Sequence, residues 1–410
     1  MQAVWQPVIV VLAVALAIGL RFVPKLRGYQ FTAWILAAVT AGMIFPAPLL
    51  RIGDLDLRNK WLLLFIVQAV MFGMGTQMKL ADFAGVVKMP WAVGIGVVGQ
   101  FTIMPLVGFA LTKLFHFEPE IAAGIILIGS CSAGLASNVM AYIAKANLAL
   151  SITMTSVTTM LAPLMTPLWM KVLAGELVEV KPFNMMMEII KMVIVPIGAA
   201  LLHDYLTLAS VRGRRIVYGT LVLGIGWLSV VAGGGWAWLK GNVAPETLPW
   251  LGVVGFFFAA VVAGVVYHHA TIFFPRLPKL MPVASMFGIV YFTTVTTAAG
   301  RDSLLQIGGL LFLAAALHNT SGYLFGYWLA RLCRLDLASC RTVAFEVGMQ
   351  NGGMASGLAG ALGKLGTMGL AAAIFSPWMN ISGSMLANYW RKRAERETSN
   401  SKFQTSNNLQ

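Results

Sequence analysis

Thirteen apolar runs follow one another along this chain with short connections between them, and that succession leaves few folds open. They lie near 4–20, 31–49, 61–78, 90–112, 119–143, 148–170, 183–203, 216–237, 248–270, 280–299, 305–330, 341–363 and 366–389. Each is near the roughly 20 residues that carry a helix across the hydrocarbon core of a bilayer. Lipid offers no partner to a backbone N–H or C=O, so such runs must satisfy their own hydrogen bonds as helices. The composition agrees: 58% of the 410 residues are hydrophobic, 11% are charged, and the mean hydropathy is +0.79. The expectation is an all-α polytopic membrane protein.

A net charge of +14 does not point to nucleic acid, because the basic residues stand singly between apolar runs and no polar basic domain exists to hold them. They read instead as topology signals. The first run has no Lys or Arg before it, and Arg21, Lys25 and Arg27 follow it at once, so it reads as a retained span with its N-terminus outside, not as a cleaved leader. Alternating the remaining spans places 19 basic residues on the cytoplasmic side and 9 outside, with Lys191 inside a span. This predicts a multi-pass protein of a bacterial-type inner membrane with a cytoplasmic C-terminus. The polar tail 391–410 reads as disordered.

One acidic residue, Glu346, stands deep inside an apolar run, RTVAFEVGMQNGGMASGLAGALG. A lone carboxylate at the centre of a membrane helix costs about 2.5–3.5 kcal/mol on insertion scales. The following GMQNGG holds three glycines in six residues, which favours unwinding, and unwound backbone at membrane depth is tolerated only where it lines a cavity or an ion. Carboxylate, amides and freed carbonyls together describe a cation site. The competing reading is a glycine packing cluster with an inert, protonated Glu. A second span, 119–143, breaks at GSCSAGLASN. Each broken span follows a span carrying a polar group, Gln100 in one case and His318–Asn319 in the other. By the topology above, the two broken spans run in opposite senses. Paired discontinuous helices in opposed halves are the pointer to an inverted-repeat secondary transporter. After the first break, Ser151, Thr155 and Thr158 or Thr159 recur at helical spacing in LALSITMTSVTTMLAPL, a hydroxyl stripe suited to a hard cation such as sodium, or else to bonding back onto its own helix.

These same stretches, GQFTIMPLVGF, ASNVMAYIAKANLALSITMTSVTTMLAPLMTPL, LHNTSGYLFGY, EVGMQNGGMAS and NISGSMLANYW, resemble the bile acid:sodium symporter family, over most of residues 31–392 apart from 205–275. The resemblance implies a ten-helix unit of two inverted halves, divided into core and panel domains with two broken, crossing helices, to which this chain adds about three spans. The implied divisions are an extra N-terminal span at 1–30, panel at 31–88, core at 89–174, a panel helix at 175–204, an inserted helix pair at 205–278, a panel helix at 279–304, core at 305–390 and the tail at 391–410. It further implies two sodium ions as coupling ions, with no cofactor, and a small organic anion as cargo. Ser137, Asn138, Ser151, Thr155 and Glu346 would ligate the first ion. Gln100, Gln350 and Glu346 would ligate the second, with backbone oxygens of Val347 and Met349. Gly134, Leu135, Ala136 and Asn351 would face substrate. This chain has Ser132, Ala133, Gly134 and Leu135 where the family commonly has Pro-Gly-Gly-Thr, a departure that bears on the substrate.

The expected function is sodium-coupled symport of an organic anion, a bile acid or a smaller carboxylate. Two readings stand beside it: a proton-coupled organic-acid carrier in which Glu346 titrates, and a non-transporting membrane sensor of sodium and ligand. No GxSxG or HExxH and no second acid deep within a span accompanies Glu346, which argues against an enzyme. Cys131, Cys333 and Cys340 imply free thiols, and the five histidines show no metal-ligand spacing. Lipid is the obligatory partner, nucleic acid is not one, and a homo-oligomer stays open.

Overall fold

The protein is described by a computed structural model covering residues 5–23 and 30–407, the last fourteen of these by backbone alone. Lys25 and Arg27, counted above as cytoplasmic charges, lie outside the described residues. All thirteen apolar runs are helical. In chain order they form α1 Trp5–Gly19, α2 Gln30–Ile44, α3 Lys60–Gly75, α4 Pro90–Phe115, the broken pair α5 Pro119–Ser130 and α6 Ala136–Ile143, α7 Leu148–Ala174, α8 Pro182–Leu208, α9 Val211–Asn242, α10 Leu248–Phe273, α11 Leu277–Ala299, α12 Arg301–Leu332, the broken pair α13 Leu337–Gly348 and α14 Gly352–Ala361, and α15 Met368–Asn407. Among the described residues nine helices are long and apolar enough to cross a membrane, or ten if α3 is joined to the short helical segment Leu80–Lys88, from which it bends by 68°. The 15-residue α2 and the two broken pairs make up the remaining runs. The protein is an all-α, polytopic integral membrane protein.

Local sequence explains the boundaries. Pro90, Pro119 and Pro182 each open a helix at its first position, where a missing N–H costs nothing. Asn59, Asn147, Asp336 and Asn351 cap α3, α7, α13 and α14 with a side-chain oxygen on a first-turn N–H. Two expectations need correction. The run 31–49 is not one helix: it stops at Ile44 and restarts as a single turn, Pro46–Leu50, because Pro46 cannot continue α2. The tail, expected to be disordered from 391, continues α15 to Asn407, because RKRAERE is rich in helix formers and no Gly or Pro interrupts it.

Helix α4 packs on α5, α7 and α12, and α12 packs on α13 and α15; elsewhere α2 and α3 pack on α11, and α8 on α3 and α10. Small residues set the closest approaches. A Cβ at Gly322 would lie 2.6 Å from Gly348 Cα, and one at Gly326 would lie 3.0 Å from Val347 Cβ, so α12 presses directly on the end of α13. Gly124 of α5 abuts the Met368 carbonyl at the start of α15. The helices added to the implied ten-helix unit are the least enclosed: only Ala17 is buried in α1, and 11% of the apolar window of α9 is buried. The three cysteines are free.

These contacts rank the glycines. Gly124→Leu should drive α5 from α15 and destabilise the fold by about 1–3 kcal/mol, the usual cost of overpacking. Gly226→Leu on α9, where a Cβ meets nothing within 4 Å, should leave stability unchanged. Thermal unfolding of the two purified variants in detergent checks the contrast.

Candidate functional site

The two breaks cross and hydrogen-bond to each other. The Asn351 N–H donates to Ser132 O at 2.9 Å, the Gly134 N–H donates to Met349 O at 3.0 Å, and Ala133 pairs antiparallel with Gln350. Each unwound segment thus gives the other a partner that its own helix has lost, which lowers the cost of burying irregular backbone. Thr166 of α7 donates to Ser130 O at 2.7 Å and steadies the end of α5.

Glu346 is fully buried in the last turn of α13. It accepts from Ser137 Oγ at 2.6 Å and Ser151 Oγ at 2.5 Å on Oε1, and from Thr155 Oγ1 at 2.8 Å on Oε2. Asn138 closes the group, with its Oδ1 2.7 Å from Ser151 Oγ and 3.1 Å from Thr155 Oγ1. Turned the other way, the amide nitrogen lies 3.3 Å from Glu346 Oε1 and donates to it. The oxygen-inward orientation suits a cation among five oxygen-bearing side chains, and the nitrogen-inward one suits an empty cluster. All five residues expected to form the first ion site therefore meet at one point, drawn from α6, α7 and α13. The rest of the hydroxyl stripe behaves differently. Thr158 and Thr159 both bond back to Thr155 O of their own helix, and Thr158 Oγ1 also accepts from the Ala133 N–H, so the two readings of the stripe divide it residue by residue.

The second expected set gathers beside the first. Gln100 Nε2 donates to Gln350 Oε1 at 2.8 Å and to Cys131 O at 2.9 Å, and Gln350 Nε2 donates to Val347 O at 2.7 Å. The Met349 carbonyl accepts the Gly134 N–H of the crossing. Gln100 Oε1 is buried and has no hydrogen-bond partner, which marks it as an oxygen free to face an ion. Both oxygens of Glu346 accept from the first set, and the adjoining Val347 carbonyl reaches the second.

Gly134, Leu135, Ala136 and Asn351 line a cavity of about 610 Å³, which also reaches Asn138, Thr155 and Gln350. Asn351 Oδ1 accepts the Met354 N–H at 3.0 Å, while its Nδ2 is buried without a partner at the cavity wall. The opposite wall comes from Val70, Gly73 and Gln77 at the end of α3 and from Pro282, Ser285 and Met286 of α11. Sequence reading missed that wall, because an apolar helix shows the same residues to a cavity as to lipid. Asn380 also lines the cavity; it falls in NISGSMLANYW, where an amide inside an apolar run was the available signal.

An all-helical membrane protein with its polar groups gathered at two crossed breaks has the architecture of a secondary transporter. The model of the Sodium Bile acid symporter family matches residues 62–241, running past the 205 boundary at which an inserted pair was expected to begin. Three relatives extend the match. The uncharacterized sodium-dependent transporter YocS of Bacillus subtilis (strain 168) is 34% identical over 384 residues, 93% of this chain and 97% of its own length. The probable chloroplastic sodium/metabolite cotransporter BASS1 of Arabidopsis thaliana is 27% identical over 378 residues, 92% of this chain and 77% of its own. The human ileal sodium/bile acid cotransporter is 29% identical over 295 residues, 70% of this chain and 66% of its own. The chain belongs to the sodium bile acid symporter family.

The cavity makes an accessibility prediction independent of cargo. A cysteine at Val139, exposed on the cavity wall, should react with a water-soluble maleimide far faster than one at Thr166, which is fully buried. Equal labelling rates in the folded variants would mean that water does not reach this wall.

Proposed function

We propose that this protein is a sodium-coupled symporter of a small organic anion, with ions at the crossing and the anion in the cavity beside it. The observation that carries the reading is the surroundings of Glu346. Three hydroxyls satisfy its oxygens but bring no positive charge, and a buried carboxylate without a matching cation is costly. Sodium, a hard ion that takes oxygen ligands, would supply the charge and find Ser137, Asn138, Ser151, Thr155 and Glu346 already gathered. A second ion would use Gln100, Gln350 and the Val347 and Met349 carbonyls, and the unpartnered Gln100 Oε1 supports that placement.

The anion would meet the N-terminal ends of α6 and α14, whose first residues line the cavity and whose partial positive charge favours a carboxylate. The unpartnered Nδ2 of Asn351 offers a neutral donor at the same place. Coupling follows because an ion that links α13 to α6 and α7 also fixes the crossing that the anion recognises. In this reading α4–α7 and α12–α15 form the core, while α2, α3, α8 and α11 form the panel. Alternating access is relative movement of the two about the cavity. The chain would lie in a bacterial-type inner membrane with its C-terminus in the cytoplasm.

The test is uptake by proteoliposomes under a sodium gradient at fixed pH, screened with bile acids, pantoate-like acids and short 2-oxo acids. Glu346→Gln keeps shape and removes charge. It should reduce sodium-driven uptake by at least about 100-fold while the purified variant stays monodisperse. Uptake driven equally well by a proton gradient in sodium-free buffer would favour the proton-coupled reading.

Leu135 gives a second, separable prediction about cargo. It puts an apolar side chain where the family usually has a hydroxyl, favouring a hydrocarbon portion near the acid group. Leu135→Thr restores one hydrogen bond, a gain of about 0.5–1.5 kcal/mol for a polar cargo. Competition assays should show preference moving by about two- to ten-fold toward smaller, more polar acids, with the sodium dependence unchanged.

A further inference from the structure

The two breaks are pinned by matching devices. In the first half, Gln100 of α4 donates to Cys131 O, just past the end of α5. In the second half, Asn319 of α12 donates to Gly348 O, at the end of α13, at 2.8 Å. Each amide stands on the helix that precedes its broken pair, and each takes the carbonyl at which the first half-helix stops. The two amides differ in their other atom. Gln100 Oε1 is buried and unpartnered, whereas Asn319 Oδ1 accepts from Ser382 Oγ at 2.6 Å. Ser382 is itself 3.2 Å from the Tyr323 hydroxyl, which donates to Met379 O. Asn319 is thus fully buried and anchored on both sides.

What Asn319 does fix is direction. Met349 is extended, with φ −112° and ψ 106°, and in extended backbone successive carbonyls point to opposite sides. Gly348 O turns toward α12 and Asn319, while Met349 O turns the other way and meets Gly134 N–H at the crossing. The close contact of Gly322 with Gly348 brings the two into reach.

We propose that Asn319 is a positioning residue for the second ion cluster: by holding the Gly348 carbonyl against α12, it sets the directions in which Val347 and Met349 offer theirs. This rests on the reading that sodium binds at the breaks. Without the pin, Gly348 O is left unsatisfied in the interior, and the α13 terminus rotates to find a partner, taking the two flanking carbonyls with it. Asn319 touches no ion in this scheme, so its loss weakens sodium binding without removing a ligand.

The experiment is equilibrium binding of radiolabelled sodium to the purified full-length protein in detergent, with no organic ligand present. Asn319→Asp keeps the shape and the acceptor for Ser382 but removes the donor to Gly348; Asn319→Ala removes both. Each should raise the half-saturating sodium concentration by at least about five-fold, with the binding capacity per molecule unchanged. Ser382→Ala, which frees the amide to turn, should raise it by about two-fold. A variant that is merely partly unfolded would lose capacity at an unchanged half-saturation, which would overturn the positioning role. So would wild-type half-saturation in a folded Asn319 variant, or in Ser382→Ala if neither Asn319 variant folds. No saturable sodium binding by the wild type would instead remove the underlying sodium reading, and this inference with it.

Discussion

The structure depends on two backbone hydrogen bonds at the crossing of the broken helices, Asn351 N–H to Ser132 O and Gly134 N–H to Met349 O. An unwound segment inside an apolar bundle exposes peptide groups that neither lipid nor side-chain hydrocarbon can satisfy, at a cost of several kcal/mol for each group left alone. Two breaks that meet antiparallel settle that cost for each other. Once they do, the half-helix ends they create are fixed in space, and the side chains of α4, α7 and α12 have a rigid target. The glycines at 322 and 326 and the pins from Gln100 and Asn319 all serve this one junction.

Fold class was written in the apolar runs, because runs of about 20 residues are too long for barrel strands and lipid leaves them only the helix; the breaks were written in glycine and amide content. Glu346 was legible for the same reason that it is expensive: a charge in an apolar run has no structural excuse. Its five-residue cluster came together as expected, yet part of the hydroxyl stripe behind it did not take part. Helical spacing puts Ser151, Thr155, Thr158 and Thr159 on neighbouring faces, and only three-dimensional packing decides which hydroxyls find Glu346 and which fall back on their own carbonyls.

Other features were not legible. His318 and Asn319 stand side by side as the polar pair of α12, and sequence cannot say that one ring packs on the Met104 carbonyl while the next amide holds the end of α13. Most of the cavity wall made by α3 and α11 has no sequence mark either, since Val70, Gly73 and Met286 look like lipid-facing residues and only Gln77 and Ser285 are polar. The bend after α3 was equally hidden. There the Leu80 N–H finds Asp204 Oδ2 at 2.9 Å, a partner 124 residues away that no local pattern announces. Long-range partners of single peptide groups are the part of such a fold that periodicity does not encode.

In the proposed function, the opposite ends of the half-helices would let cations and an anion share one crossing. A helix ends with partial negative charge and bare carbonyls at its C-terminus, and begins with partial positive charge and bare N–H groups at its N-terminus. Breaking two helices at one place therefore sets two ends of each kind within a small volume. The C-terminal ends, at Ser130 and Gly348, abut the side chains of Gln100, Gln350 and Glu346, while the N-terminal ends, at Ala136 and Gly352, border the cavity. An unbroken helix offers neither end at this depth, and a single break offers one of each but no partner to satisfy its unwound peptides. Two crossed breaks are thus the smallest arrangement that presents both polarities in the interior while each break supplies backbone partners to the other. On the function proposed above, an ion on the carbonyl side and an anion on the amide side would act on the same few residues, 131–135 and 347–351. A displacement of that backbone by either one is felt by the other without any longer route through the protein.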